Sequence, residues 1–209
     1  MTIEVFAELA CPFTHLGLRR IVERRTAQGR TRPRLRVRPW PLELVNGQPL
    51  DPPHVAAEVR AMRTQVAPDL FVGFDETAFP SSSMGGFRLV EAAYALDLDL
   101  GERVGLALRD ALFEEGRDIG DPAVLAGVGA AHGVEVPGRE LDDEVRAAYE
   151  EGQRRGVQGS PHFFVADTSA FCPLLDIRRD DAGDFHLRLD EDAAGVLLDG
   201  WFAMDDTVG

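Results

Sequence analysis

Ala10-Cys11-Pro12-Phe13-Thr14-His15-Leu16-Gly17, ACPFTHLG, stands between two apolar runs near the start of a 209-residue chain. Upstream, Ile3, Val5 and Ala7 alternate with other residues, the pattern of a short strand over Thr2–Glu8. Downstream, Pro12 suits the first position of a helix that continues through FTHLGLRRIVERRTAQG and stops at Gly29. Leu16, Leu18, Ile21 and Val22 supply its apolar stripe, and the five arginines between Arg19 and Arg30 are expected to face water. RLRVRPW follows as a second half-buried strand, with Leu35 and Val37 alternating against arginine. Together these make a β-α-β unit, whose two strands are expected to pair in parallel. Cys11 therefore falls at a strand-to-helix turn, and Thr14 stands three residues on, where a second cysteine could have stood.

A helix N-terminus carries unpaired N–H groups and the positive end of the helix dipole, both of which favour an anion. A thiolate is such an anion, so the pKa of Cys11 is expected to be lowered and its reactivity raised. The alternative is a small buried hydrophobe, as free cysteine often is. Thr14 in the first turn could hydrogen-bond the thiolate or simply satisfy local backbone. His15, four residues after Cys11, could tune the thiol or carry a proton, or could be a packing histidine. Far along the chain, GVQGSPHFFV (residues 156–165) sets Ser160-Pro161 at the entry to a strand, where proline is tolerated. A cis-proline loop there could lie against the cysteine turn and offer backbone groups to an extended thiol-bearing substrate. His162 would then border the same pocket.

The bulk numbers narrow the function classes. A formal charge of -14 disfavours nucleic acid, whose phosphates would be repelled, and anionic membrane surfaces as well. All 22 basic residues are arginine, a compositional bias rather than chemistry. No segment approaches the ~20 apolar residues of a membrane span. MTIEVFAELA has neither a basic n-region nor a small-residue cleavage site, so no signal peptide is read and the cytoplasm is the expected location. With two cysteines, a disulfide-stapled fold is not expected. His54, His132 and His186 show no metal-ligand spacing, so no metal site is expected.

From Leu50 to about Arg155 strand signals are few. Ser81–Ser83 can cap a helix through Phe87, Leu89, Val90 and Ala93, and Gly101 leads one through Val104, Leu106, Leu108 and Leu112. Asp121-Pro122 is an N-cap and first-position pair, and Pro137 precedes an amphipathic stretch carrying Leu141, Val145 and Ala148. After Gly156 the pattern turns to β. HFFVAD is a buried strand, LLDIRRDDAGDFHLRLD reads as two strands around Asp180–Asp184, and EDAAGVLLDGWFAM is a closing helix with Val196, Leu197, Leu198 and Trp201 inward. The expected architecture is α/β: residues 1–50 and 156–209 form a core of β-α-β and β-β-β-α, and 51–155 form an all-helical insertion.

CPFTHLG after the first strand, RPWPLEL after the second, LFEEGRDIGDPAVLAGVGAAHGVEV in the helical block and GVQGSPHFFV near the end together resemble the DsbA-like thioredoxin-fold family. The pattern is similar to its cytoplasmic dithiol-disulfide isomerase-like branch, beside the 2-hydroxychromene-2-carboxylate isomerases and kappa-class glutathione transferases. The resemblance implies a thioredoxin-like core interrupted by a helical subdomain. It puts Cys11 at the first active-cysteine position, with Thr14 beside it, and makes Ser160-Pro161 the cis-proline loop. Pro12, Phe13, His15, Ser160, Pro161 and His162 would contact substrate. No cofactor is expected to be tightly bound; a low-molecular-weight thiol such as glutathione, or a thiol/disulfide substrate, is the expected partner.

Two departures bear on function. The dithiol branch carries Cys-x-x-Cys, but Thr14 holds the fourth position, so Cys11 lacks the usual internal attack on a mixed disulfide. The isomerase and transferase branches commonly carry serine first, and this chain keeps sulfur. A strand over His162–Asp167, at ~3.3 Å per residue, would carry the chain ~20 Å from the site, so Cys172 is expected to be a packing cysteine unless a loop folds back. Three readings follow. The first is a monothiol thiol-disulfide oxidoreductase or isomerase whose resolving sulfur comes from a small thiol. The second is a thiol-dependent isomerase or transferase, and the third is a non-catalytic binding module. The residues name neither the substrate, the small thiol nor the oligomeric state.

Overall fold

Buried and less buried residues alternate along β2 (Arg34–Pro39) and the first half of β1 (Thr2–Ala7), whose last three residues are all buried, and the two strands pair in parallel with Val5 opposite Val37 in the computed structural model. The model describes residues 1–206; the last three residues of the expected core segment, 207–209, lie outside the described residues. Between the strands runs α1 (Pro12–Ala27), which ends where Gly29 takes a φ of +67. Leu18 and Ile21 of α1 pack with Ile3, Val5, Leu35 and Val37 into one apolar cluster.

One of the five arginines between Arg19 and Arg30 departs from expectation. Arg25 is buried, and its guanidinium forks onto Glu102 at 2.5 and 3.0 Å and reaches the Pro33 carbonyl at 2.8 Å. Glu102 also accepts the Leu35 N–H at 2.6 Å. A charge so placed must be paired, because neither ion alone would repay its lost hydration. The pair ties α1 and β2 to the helical block.

That block comprises α2 (Leu42–Asn46), α3 (Pro52–Gln65), α4 (Met84–Leu96), α5 (Leu98–Phe113), α6 (Pro122–His132) and α7 (Asp142–Arg154). Asp121 caps α6 by accepting the Ala123 N–H at 2.8 Å, with Pro122 in the first position as expected. Gly101 does not lead α5; Asp97 caps it, accepting the Leu100 N–H at 3.0 Å. Gly101 sits in the first turn because a Cβ there would lie 2.0 Å from the Tyr94 ring. Phe71, Phe87, Leu108, Leu112 and Phe113 form a second apolar cluster, which also takes in Leu9, Ala10 and Leu16 of the cysteine turn. The helical block is thus packed directly behind Cys11.

The chain then returns to the sheet through β3 (His162–Val165) and β4 (Thr168–Phe171), giving the order β2-β1-β3-β4. β3 is antiparallel to both neighbours. β4 is one strand more than expected. Its hairpin turns at Ala166, whose φ is +50. β5 (Leu175–Arg179) and β6 (Phe185–Leu189) are the expected pair about Asp180–Asp184, and they form a separate two-stranded sheet. In α8 (Glu191–Asp206), Ala194, Leu198, Trp201 and Phe202 face the core. Val196 was expected inward but is 75% exposed, since two residues from Leu198 at about 100° each point it away. Among the described residues, no helix is long and apolar enough to cross a membrane.

Candidate functional site

Cys11 is the N-cap of α1, with φ -90 and ψ 117, and Pro12 follows at the first position. Its Sγ donates to the Ser160 carbonyl at 3.4 Å. The Ser160-Pro161 peptide bond is cis. Because β1 and β3 pair with Phe6 opposite His162, the loop ahead of β3 arrives beside the end of β1 and the cysteine turn.

Three side chains hold that meeting point. Ser160 Oγ accepts the Glu8 N–H at 2.8 Å and is hydrogen-bonded to Thr14 Oγ1 at 2.8 Å. Glu8, 1% exposed, accepts the Ala10 N–H at 3.0 Å, the Leu42 N–H at 2.8 Å and the Ser83 hydroxyl. Arg109, fully buried, donates to the Glu8 carbonyl at 3.2 Å. Sequence reading missed Glu8, Ser83 and Arg109. The available signal was a carboxylate following the apolar run Val5-Phe6-Ala7, immediately before the cysteine turn.

The expected fall in the Cys11 pKa is not observed; burial pushes the thiol up. Thr14 and Ser160 act the other way, and the Glu58 carboxylate adds to the rise. The helix N-terminus is present, but the sulfur has left water, and desolvation of the thiolate outweighs it. At rest Cys11 is a protonated thiol donating to Ser160.

The two site histidines are also elsewhere. His15 Nε2 lies 2.7 Å from Glu114 Oε1, with its ring against Phe71 and Phe113, so it packs into the helical block rather than toward substrate. Burial lowers its pKa. His162 stacks on Phe164 at 4.9 Å, and its Nδ1 accepts the Gln158 N–H at 3.0 Å, anchoring the loop from behind. Thr14 is fully buried in the clamp to Ser160.

Cys11, Pro12, Phe13 and Ser160 do come together, at one end of a cleft of about 580 Å³. Its walls are largely apolar, from Leu42, Leu50, Val55, Phe171, Ile177 and Phe185. His54, Glu58 and Arg179 supply the polar side, with His54 Nε2 3.3 Å from Glu58. Burial lifts the Glu58 carboxyl to about 7, against the pull of Arg179. Cys172 also lines this cleft, because the β3–β4 hairpin doubles back. The hairpin is the fold-back that keeps Cys172 from the ~20 Å reach of a straight strand. Among the described residues, no cluster of His, Cys, Asp or Glu could hold a metal ion.

The model of the DSBA-like thioredoxin domain matches residues 2–177. Among solved structures, a 2-hydroxychromene-2-carboxylate isomerase superposes with a TM-score of 0.60 at 12% identity, covering 82% of this chain and 88% of that one. The cytosolic disulfide reductase DsbM from Pseudomonas aeruginosa matches at 0.54 and 22% identity, covering 99% of this chain and 98% of that one. The same reductase with GSH matches at 0.61 and 20%, with the same coverage. At these identities the likeness is one of fold. No curated protein sequence matches the chain.

Proposed function

The chain belongs to the family of the DSBA-like thioredoxin domain, and from that premise we propose that it is a thiol-disulfide oxidoreductase in which Cys11 is the nucleophile and a small thiol is the partner. The observation that carries this reading is the Cys11 Sγ donating to the Ser160 carbonyl at the end of an open cleft. A substrate N–H that takes the Ser160 carbonyl removes the acceptor holding the S–H bond. The sulfur is then left beside Thr14, which favours the thiolate. Reactivity is thereby coupled to occupancy of the cleft. Pro12, Phe13 and Ser160 line the docking surface, and Pro161 is buried behind it. The partner is of the glutathione class, held without a tightly bound cofactor, and the site of action is the cytoplasm; the neighbouring cytosolic reductase with GSH supports both points. The charge of -14 supports an uncharged or cationic protein substrate over nucleic acid.

The test is the alkylation rate of Cys11 against pH, with Cys11→Ser as control, followed by mass spectrometry after exposure to oxidised glutathione. The free protein is expected to react slowly at neutral pH and faster as pH rises, and to form a disulfide at Cys11, either with glutathione or with a second protein thiol. Absence of any disulfide at Cys11 across the pH range sinks the reading.

A second reading has its own observation, the apolar wall of Phe13, Leu50, Val55, Ile177 and Phe185 facing Cys11. Such a wall fits a small hydrophobic substrate beside a bound thiol, as in a thiol-dependent isomerase or transferase. Saturable binding of reduced glutathione without mixed-disulfide formation would favour it.

A further inference from the structure

Cys172 occupies an unusual position for a packing residue. The pairing of His162 with Phe171 sets residue 172 directly across from Pro161, and the Cys172 N–H donates to the Pro161 carbonyl at 2.9 Å. Cys11 is bonded to the carbonyl of the preceding residue, Ser160. The two cysteines of the chain are therefore attached to consecutive carbonyls of one loop and line one cleft, both as free thiols. Cys172 has a φ of +43, a left-handed backbone that a β-substituted residue adopts only when its surroundings impose it. Burial, with Cys11 adding to the effect, pushes its thiol up to about 12, so it too rests protonated.

Resting on the oxidoreductase reading above, we propose that Cys172 is the resolving cysteine, taking the role that Thr14 cannot fill. The Cys11 sulfur attacks one sulfur of a small or peptide disulfide, a bond forms from Cys11 Sγ to it, and the other sulfur leaves as a thiol carrying the Cys11 proton. The Cys172 sulfur then attacks Cys11 Sγ, the bond to the substrate sulfur breaks, and the second substrate thiol leaves with the Cys172 proton. The substrate disulfide has gained two electrons and become two thiols. Cys11 and Cys172 have lost two electrons and become a disulfide. Two molecules of a reduced glutathione-class thiol restore the pair and leave as their own disulfide. The resolving sulfur is thus reached through the fold rather than through a Cys-x-x-Cys turn. A Cys11–Cys172 bond needs Cα atoms within about 7 Å, so the segment after β4 must close toward Cys11 across the Ser160-Pro161 loop.

The experiment exposes the full chain and Cys172→Ser to limiting oxidised glutathione, quenches with acid, and maps unreduced peptides by mass spectrometry. The unsubstituted chain is expected to yield a linked Cys11–Cys172 peptide with little mixed disulfide. Cys172→Ser is expected to lose that link and accumulate glutathione on Cys11 until fresh thiol is added. A stable Cys11 adduct in the unsubstituted chain, with Cys172 open to alkylation once unfolded, overturns the inference and leaves the oxidoreductase reading standing. No disulfide of any kind on Cys11 in the unsubstituted chain overturns that reading and this inference with it. The link is read in the unsubstituted chain, so the outcome stands even if Cys172→Ser folds poorly.

Discussion

Thr14 Oγ1 lies 2.8 Å from Ser160 Oγ, so the residue at the place of a missing second cysteine clamps the cis-proline loop onto the first turn of α1. The position has exchanged a redox sulfur for a structural hydroxyl. Thr14→Val keeps the shape and removes the clamp. It is expected to lower stability by about 1 kcal/mol in denaturant titration, the net worth of one such bond. It should also raise the pKa of Cys11 further, because Thr14 is the largest influence holding it down. An alkylation profile moved to lower pH would contradict this.

The Arg25–Glu102 pair carries a larger and simpler expectation. Both side chains are nearly inaccessible, at 5% and 3%, and Glu102 also receives the Leu35 N–H. Glu102→Ala leaves a guanidinium buried without its partner and should cost about 3–5 kcal/mol in chemical denaturation. Cys11 lies elsewhere in the fold, so its alkylation in the folded protein should change little. A loss below about 1 kcal/mol would mean that the pair behaves as a surface bridge.

Much of this was legible before any coordinates. Period-two patterns in β1 and β2, Pro12 after Cys11, and the Asp121-Pro122 cap fix local structure through short-range sterics and hydrogen bonds, which sequence reports directly. What escaped depends on chain reversals and on burial. Ala166 turns the chain with a positive φ that no glycine advertises, so β4 and the return of Cys172 were hidden. Arg25 looked like a solvent residue and the role of Glu8 went unread because their partners lie 77 and 75 positions away, at Glu102 and Ser83. The Cys11 pKa misled for the same reason: the helix N-terminus is visible in sequence, and the desolvation that outweighs it is not.

Glu8 is the other test of that buried layer. Three donors converge on its carboxylate, from Ala10, Leu42 and Ser83. Glu8→Gln preserves the shape but turns one acceptor into an NH₂ group that must face a donor. A cost of about 1–3 kcal/mol is expected, with thermal unfolding as the readout. With its carbonyl kept on Ala10 and Ser83, the NH₂ group faces the Leu42 N–H, so residue 42 should also show faster amide exchange.

Glu58 couples the cleft to pH. Its carboxyl is 14% exposed and its pKa is raised from 4.5 to about 7 by burial. Between those values the folded state binds a proton that the unfolded state has released. The stabilisation from this proton is fully present below pH 4.5 and is lost as pH rises through about 7, at most about 3 kcal/mol. Glu58→Gln should flatten that part of the stability profile. The same substitution acts on the thiol, because the ionised carboxylate raises the Cys11 pKa. Above pH 7, where Glu58 is charged, the variant should therefore be alkylated faster than the unsubstituted protein. Well below pH 7, where Glu58 is neutral, the two rates should converge. Equal rates above pH 7 would show that the carboxylate and the sulfur are electrostatically independent, and the cleft would then need another source for any pH response.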